Sequence, residues 1–243
     1  MVEPRYRTVA QPGARARELD DGLRAYMVRV YNFVALGVAV TAIVTMFMAN
    51  NPDIMVAVAT GPMMWVLFAG VLGLGFFAPK LIFSGNAAMA HGAYWTYAVL
   101  WGLLISPMVV AYLAIDPSLV TRALLITTAT FGAMSLVGYT TKRDLSGLSG
   151  FFMMATIGLL IAILVNVIFF GSELMSLITS GLVVLVFSGM TAYETQQIKT
   201  MYAEGDAAGL VQGKAIFGAF MLYGSFIVMF IHILNILGIM RSE

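Results

Sequence analysis

The stretch LMSLITSGLVVLVFSGMTAYETQQIK, residues 174–199, decides the fold class of this chain. Its first twenty residues, 174–193, carry no charge. Twenty helical residues extend about 30 Å, which is the thickness of the hydrocarbon core of a bilayer. The stretch therefore predicts a membrane-spanning helix. Glu194, the first charged residue after the apolar run, is either a boundary residue at the membrane surface or a carboxyl held inside the membrane.

The composition of the whole chain is that of a membrane protein. Of its 243 residues, 60% are hydrophobic and 10% are charged, whereas about a quarter of the residues of a soluble domain are charged. Apolar stretches of about twenty residues recur without the alternation that the strands of a membrane barrel require. Because only helices and closed barrels satisfy the backbone in lipid, we predict an all-α membrane protein.

Seven membrane-spanning helices are predicted, separated by polar breaks rich in Gly, Pro, Asn and Asp. They cover residues 28–49, 62–83, 93–115, 118–141, 148–170, 174–197 and 214–240. Because no break is longer than about fifteen residues, residues 28–243 are predicted to form a single transmembrane domain. Residues 1–27 are polar, and we expect them to form a flexible cytoplasmic tail.

The distribution of basic residues predicts the orientation of the bundle. If the N-terminus is cytoplasmic and seven spans alternate, all of the 13 Lys and Arg residues except Arg122 and Arg241 lie on the cytoplasmic side. Cytoplasmic loops are enriched in Lys and Arg. We therefore expect a protein of the cell inner membrane with a cytoplasmic N-terminus and an external C-terminus.

Several classes of chemistry lack the residues that they need. The chain has no cysteine and two histidines, which excludes thiolate sites and multi-histidine metal sites. The glycine-rich run GVLGLG, residues 70–75, has neither a preceding strand nor a following Lys-Ser/Thr, so we interpret it as a close-packing surface between helices. We expect neither an enzyme nor a cofactor, and a net charge of +1 gives no indication of a nucleic-acid partner.

Few polar side chains lie within the predicted spans. If Glu194 faces the bundle interior, it is suited to act as a proton-controlled switch or a weak calcium contact. His232 and Ser225 share a helix face but are about 10.5 Å apart along the axis, too far for a nucleophile–base pair. We interpret His232, Asn235 and Asn166 as polar contacts between helices or as pore-lining groups.

Three motifs resemble the Bax inhibitor-1 family, and in particular its bacterial inner-membrane members. The first is GYTTKRDLS, residues 138–146, within the longer stretch FGAMSLVGYTTKRDLSGLSGFF. The second is TAYETQQIK, residues 191–199, and the third is MLYGSFI, residues 221–227. They occur in the order of the family, and the resemblance extends over the membrane region from residue 25 to residue 238.

The resemblance implies a bundle in which six helices surround a central seventh, and a pH-modulated calcium leak across the membrane. In the family, an aspartate of the sixth span and one of the seventh share a proton and close the pore. These positions correspond to Glu194 and Ser225. Because serine has no carboxyl, we expect the pH gate of this chain to be altered, with calcium or another cation as the transported ion.

The resemblance also leaves a second function open. Some bacterial relatives are thought to bind a membrane-anchored protease, so the chain is alternatively a regulatory membrane protein that binds such a partner without significant ion flux. The tail and the loop between Lys199 and Lys214 would then be the contact surfaces. The lipid bilayer surrounds the bundle in either case.

Overall fold

The computed structural model describes the backbone of residues 12–242 and the side chains of residues 20–241. The described chain is helical, with no strand between residues 12 and 242. A 3₁₀ turn at Ser146–Leu148 precedes α6, and a π-helical segment at Asn166–Phe170 follows it. The α-helices are α1 Pro12–Ala49, α2 Pro52–Thr60, α3 Met63–Ile82, α4 Ala87–Ile115, α5 Pro117–Thr140, α6 Ser149–Val165, α7 Glu173–Met201 and α8 Ala208–Ser242.

Seven of these helices are long and apolar enough to cross a membrane, as the sequence predicts. They are α1 from Asp20 onward and α3 to α8, with the flanking turns of α6 included in its span. The outer surface of the bundle is apolar, and Phe76, Leu185 and Phe169 expose 80%, 71% and 75% of their side chains. Such a surface is stable in contact with the lipid bilayer and not with water.

The short helix α2 lies between the first two spans, where the sequence predicts only a polar break. Pro52 begins it, because the fixed φ of proline suits the first helical turn and its missing N–H is not needed there. The helix has nine residues and is therefore about 13 Å long, too short to span a bilayer. It packs against α1, α3 and α4.

The central helix of the bundle is α8. Within its most apolar segment 67% of the residues are buried, whereas the corresponding fractions for the other six spans are between 11% and 28%. α8 packs against α1, α3, α4, α5 and α7, while α6 packs mainly against α7. The predicted arrangement around a central seventh span is therefore confirmed, with α6 on the outside of α7.

The first helix begins earlier than predicted. The expected boundary was residue 28, but α1 begins at Pro12, so residues 12–27 are helical and are not an irregular tail. Tyr26, Met27 and Val30 are buried and follow the helical spacing that places side chains on one face. Tyr26 also packs on Tyr202, with ring centroids 5.5 Å apart. Residues 1–11, the rest of the expected tail, lie outside the described residues.

Asn166 has a different role from the interhelical contact or pore-lining position expected of it. Its side-chain amide donates to the carbonyl oxygen of Ser172 at 3.0 Å, and the Ser172 N–H donates to Asn166 Oδ1 at 3.0 Å. Gly171 between them has a φ of 56°, which glycine adopts without steric cost. Asn166 therefore closes the turn between the π-helical segment and α7.

The crossing of α5 and α7 depends on Gly138. A Cβ atom added at this position would overlap with the carbonyl oxygen of Ala192. The absent side chain allows the two backbones to approach, as small residues do in membrane helix pairs. This contact holds α5 beside the segment of α7 that carries Glu194.

Candidate functional site

Glu194 lies inside the bundle and not at the solvated end of its helix. Its side chain is 4% exposed. α7 continues beyond it to Met201, so about 10 Å of helix separates Glu194 from the end of α7. The sequence leaves open whether Glu194 lies at the membrane surface or inside the bundle. In the structure its carboxyl lies inside the bundle.

The carboxyl of Glu194 is hydrogen-bonded to the central helix. Ser225, which is 2% exposed on α8, donates from Oγ to Glu194 Oε2 at 2.8 Å. The structure thus brings together the two residues that correspond, by the family resemblance, to the paired aspartates. Among the side chains of residues 20–241, no Lys, Arg or His forms an ion pair with Glu194.

Aromatic side chains pack where the central helix meets α1 and α4. The ring of Tyr97 on α4 stacks on Phe220 with centroids 4.2 Å apart and meets Tyr223 at 5.8 Å. Tyr223 is fully buried, and its hydroxyl lies 2.6 Å from Thr41 Oγ1 on α1. These contacts hold α8 against α1 and α4, while Ser225 of the same helix contacts α7.

The motifs GYTTKRDLS and TAYETQQIK contact each other through Gln196, a residue that no sequence pattern marks. Gln196, two residues after Glu194, donates from Nε2 to the carbonyl oxygen of Arg143 at 2.8 Å. Its Oε1 accepts from the N–H of Leu145, also at 2.8 Å. Lys199 donates to the carbonyl oxygen of Tyr139 at 2.8 Å. TAYETQQIK thus anchors the loop of GYTTKRDLS, which fixes α7 at the level of Glu194.

A second polar cluster lies between α7 and α8, far from Glu194. Ser180 Oγ is 3.0 Å from His232 Nδ1. Asn235 donates from Nδ2 to Ser176 Oγ at 2.8 Å and to Ser180 Oγ at 2.9 Å. Ser180 precedes Glu194 by fourteen residues, or about 21 Å of helix. His232 and Asn235 therefore contact α7, as expected of interhelical groups, but they are not part of the Glu194 site.

The serines of this second cluster are polar groups that were not predicted from the sequence. Ser176 and Ser180 are four residues apart on α7 and so lie on one helix face. A pair of hydroxyls at this spacing within an apolar run is a readable signal for a polar contact with a neighbouring helix. The identity of that neighbour depends on how α7 is rotated, which the spacing alone does not show.

An apolar layer separates the two polar clusters. Val183 and Phe187 of α7 are 2% and 9% exposed, and Met229 of α8 is fully buried. Hydrated ions do not cross tightly packed apolar side chains. In the described conformation, the seam between α7 and α8 is polar towards both ends and closed in the middle.

The site offers one carboxylate and no preformed metal cage. Residues 20–241 contain no group of three or more His, Asp or Glu side chains that could hold a metal ion. Calcium takes six to eight oxygen ligands in a dedicated site. Glu194 with Ser225 can supply a single weak contact to a passing cation.

Comparison with known proteins shows the family. The family model described as Inhibitor of apoptosis-promoting Bax1 matches residues 23–242. An uncharacterized protein of Deinococcus radiodurans is 38% identical over 218 residues, which are 89% of this chain and 91% of the relative. The inner membrane protein YbhL of Escherichia coli K12 is 34% identical over 238 residues, which are 97% of each chain.

These matches extend over the whole described bundle, including the three motifs that meet around Glu194 and Ser225. The names of both relatives state no enzymatic activity. Together with the seven apolar helices, they identify the protein as a multi-pass membrane protein, and the chain belongs to the Bax inhibitor-1 family.

Proposed function

We propose that this protein is a pH-regulated cation leak channel in which Glu194 is the gating group. The observation that carries the proposal is the carboxyl of Glu194, buried against the central helix with Ser225 as its hydrogen-bond donor. Ionisable groups within membrane helices are costly and mark ion or proton pathways. Glu194 forms no ion pair with the described side chains, so it does not stabilise the fold in that way.

Burial determines the direction of the pH response. The closed bundle encloses Glu194 in a medium that penalises a charge, whereas water would solvate the ionised carboxylate. Ionisation therefore favours conformations in which α7 separates from α8 and water reaches the site. The same negative charge then attracts cations to the opening. We expect the leak to increase as the pH rises.

Glu194 is the main group that can bind a proton where α7 meets α8. From α8 it meets Ser225, which does not titrate in this range. From α4, Tyr97 has an electrostatic interaction with Glu194 but no hydrogen bond to it among the described residues. His232 of α8 contacts Ser180 instead and lies about 10 Å further along the helix than Ser225.

Calcium is the proposed transported ion, and the proposed orientation has Glu194 in the cytoplasmic half. A single carboxylate binds calcium too weakly to trap it, which suits conduction better than storage. The basic residues Lys80, Lys142, Arg143, Lys199 and Lys214 lie at or near the helix ends on the side where α1 begins. They support a cytoplasmic N-terminus and an external C-terminus.

The test is calcium flux from liposomes that contain the purified protein. The wild-type protein should release trapped calcium faster as the pH is raised, and Glu194→Gln, which cannot ionise, should leak slowly at every pH. Glu173→Gln is the matched control, because it makes the same change at the exposed first turn of α7. A Glu194→Gln variant with the wild-type pH profile would overturn the proposal.

A wild-type protein without flux at any pH would leave the alternative function, a regulatory protein that binds a partner such as a membrane protease. That function has its own test. Deletion of residues 2–11, which precede the described helix α1, should abolish co-purification of the partner if the tail binds it. The same deletion should leave the flux of a channel unchanged.

A further inference from the structure

A groove runs along the side of the bundle between α1 and α5. Both helices pack on α8, and the space between them has a volume of about 510 Å³. Its walls include Met27, Val28, Tyr31, Phe131, Leu136 and Tyr139. Because α1 and α5 both belong to the outer ring of spans, the groove opens towards the surrounding lipid. An apolar groove at this place is accessible to an acyl chain.

One end of the groove is basic. Arg24 lies there, with an exposed side chain that forms no ion pair among the side chains of residues 20–241. Lys199 Nζ lies 4.8 Å from the centre of the Tyr139 ring, which lines the same end. Lys199 donates to the Tyr139 carbonyl and does not line the groove, so Arg24 is the cation that can bind the phosphate of a lipid headgroup there.

A buried hydroxyl lies deeper in the same groove. Ser135 is 5% exposed and lines the groove, and its Oγ has no hydrogen-bond partner among the described residues. A buried hydroxyl without a partner is unfavourable, so it indicates a missing acceptor. Ser135 is one helical turn, about 6 Å, deeper than Tyr139. The ester carbonyls of a phospholipid lie at a similar depth below the phosphate and can accept from this hydroxyl.

The deep end of the groove is apolar and suits the acyl chain of a lipid. Tyr31 and Phe131 meet edge to face with ring centroids 6.5 Å apart, and Phe131 packs in turn on Phe226 of α8. The α5 wall extends over twelve residues, from Tyr139 to Thr128, a distance of about 16 Å. The polarity therefore changes along the groove in the order of a lipid molecule, from charged headgroup to ester to acyl chain.

We propose that the α1–α5 groove binds one molecule of a phospholipid with an anionic headgroup, with its phosphate at Arg24, an ester carbonyl at Ser135 and an acyl chain along Tyr31 and Phe131. The lipid comes from the leaflet on the side where α1 begins. The proposal does not depend on ion conduction, because the groove and the Glu194 site use different residues.

The test is native mass spectrometry of the full chain with phosphatidylglycerol or phosphatidylcholine. Gly132→Leu fills the groove, since a Cβ at Gly132 meets no atom within 4 Å. Gly158→Leu on the outer helix α6 is the matched control, because a Cβ there also meets no atom within 4 Å. Arg24→Gln removes the headgroup contact, and Arg29→Gln removes an exposed charge of α1 that does not line the groove.

The wild-type protein, Gly158→Leu and Arg29→Gln should each retain one molecule of phosphatidylglycerol in preference to phosphatidylcholine. Gly132→Leu should lose the bound lipid of either kind. Arg24→Gln should lower the preference for phosphatidylglycerol about fivefold, the contribution of one basic group near a membrane surface. Equal retention by Gly132→Leu and the wild-type protein, or an unchanged preference in Arg24→Gln, would overturn the proposal. Arg24→Gln alters an exposed side chain, so its result holds even if Gly132→Leu does not fold.

Discussion

Ser225 on the central helix donates a hydrogen bond to Glu194 on α7, with 2.8 Å between Oγ and Oε2. Both side chains are almost fully buried. A carboxyl and a hydroxyl thus occupy the positions where the family resemblance places two aspartates. A hydroxyl can donate to the carboxylate but adds no charge of its own. In the proposed gate, the site would therefore respond to one proton at Glu194 and not to a proton shared between two acids.

Ser225→Asp should restore a two-acid gate. The new carboxyl would lie close to Glu194, and two neighbouring carboxylates do not both ionise easily, so they release their protons in two separate steps. We expect the pH response of calcium flux to broaden from one transition to two. Ser225→Ala is the control that removes the hydrogen bond without adding a charge, and it should keep a single transition. A single transition in Ser225→Asp at the wild-type pH would contradict this expectation.

Gly138→Ala should destabilise the bundle. The added Cβ would overlap with the carbonyl oxygen of Ala192 and force α5 away from α7. Overpacking of this kind typically costs about 1–3 kcal/mol. Gly132→Ala on the same helix meets open space and should be neutral or stabilising by about 0.5–1 kcal/mol. Thermal unfolding of both variants in detergent measures the difference, and equal effects would show that the close approach at Gly138 is unimportant.

Asp116, in the break between α4 and α5, should make the protein sensitive to acid. The N–H of Ser118 donates to its Oδ1 at 2.9 Å, and Arg241 approaches its Oδ2 at 3.2 Å. The Ser118 hydrogen bonds and, to a smaller extent, Arg241 lower the pKa of Asp116 below its ordinary value of 3.8. The folded state therefore favours the charged form. This stabilisation is present above the ordinary pKa and is lost as the pH falls through the lowered one.

Asp116→Asn is the variant that measures this contribution. It keeps an oxygen that can accept from Ser118 but cannot ionise, so its melting temperature should fall less than that of the wild-type protein between about pH 5 and about pH 3. Arg241→Gln should retain most of the wild-type acid sensitivity, because the hydrogen bonds from Ser118 are the larger cause. Parallel curves for Asp116→Asn and the wild-type protein would contradict the assignment.

Asn235→Ala should lower stability without changing the pH response. The amide of Asn235 donates to Ser176 and Ser180, and hydrogen bonds between membrane helices contribute about 0.5–2 kcal/mol. In a double-mutant cycle with Ser176→Ala, the two losses should be less than additive because they remove the same bond. Additive losses, or a shifted pH profile of flux, would show that this cluster acts differently.

The apolar spans of this bundle are readable from the sequence because lipid imposes a minimum helix length and excludes charges. The start of α1 is hard to predict because charged residues at 20, 21 and 24 lower the hydropathy of this segment. Its apolar face nevertheless includes the buried Tyr26 and Met27. The short helix α2 was missed because its nine residues do not span a membrane. Both helices begin at a proline, Pro12 and Pro52, a local signal of helix initiation that does not depend on lipid.

The candidate site is less readable than the fold. The run of twenty uncharged residues before Glu194 suggests that Glu194 lies at the membrane surface. However, α7 has 29 residues and continues to Met201, and Glu194 is buried in the bundle. Only the family motifs connect Glu194 to Ser225. The contacts of Gln196 and Ser176 depend on the rotation of neighbouring helices, which no local pattern specifies. A polar side chain in an apolar run predicts that a partner exists, not which one it is.

The most direct test follows the protonation of Glu194 and the calcium flux in the same vesicles. Infrared difference spectroscopy detects a protonated carboxyl, and the signal of Glu194 is the part of the spectrum that is absent from Glu194→Gln. The account predicts that this signal disappears over the same pH range in which the leak increases, and that Glu194→Gln shows neither change. A leak that increases while the Glu194 carboxyl stays in one protonation state would contradict it.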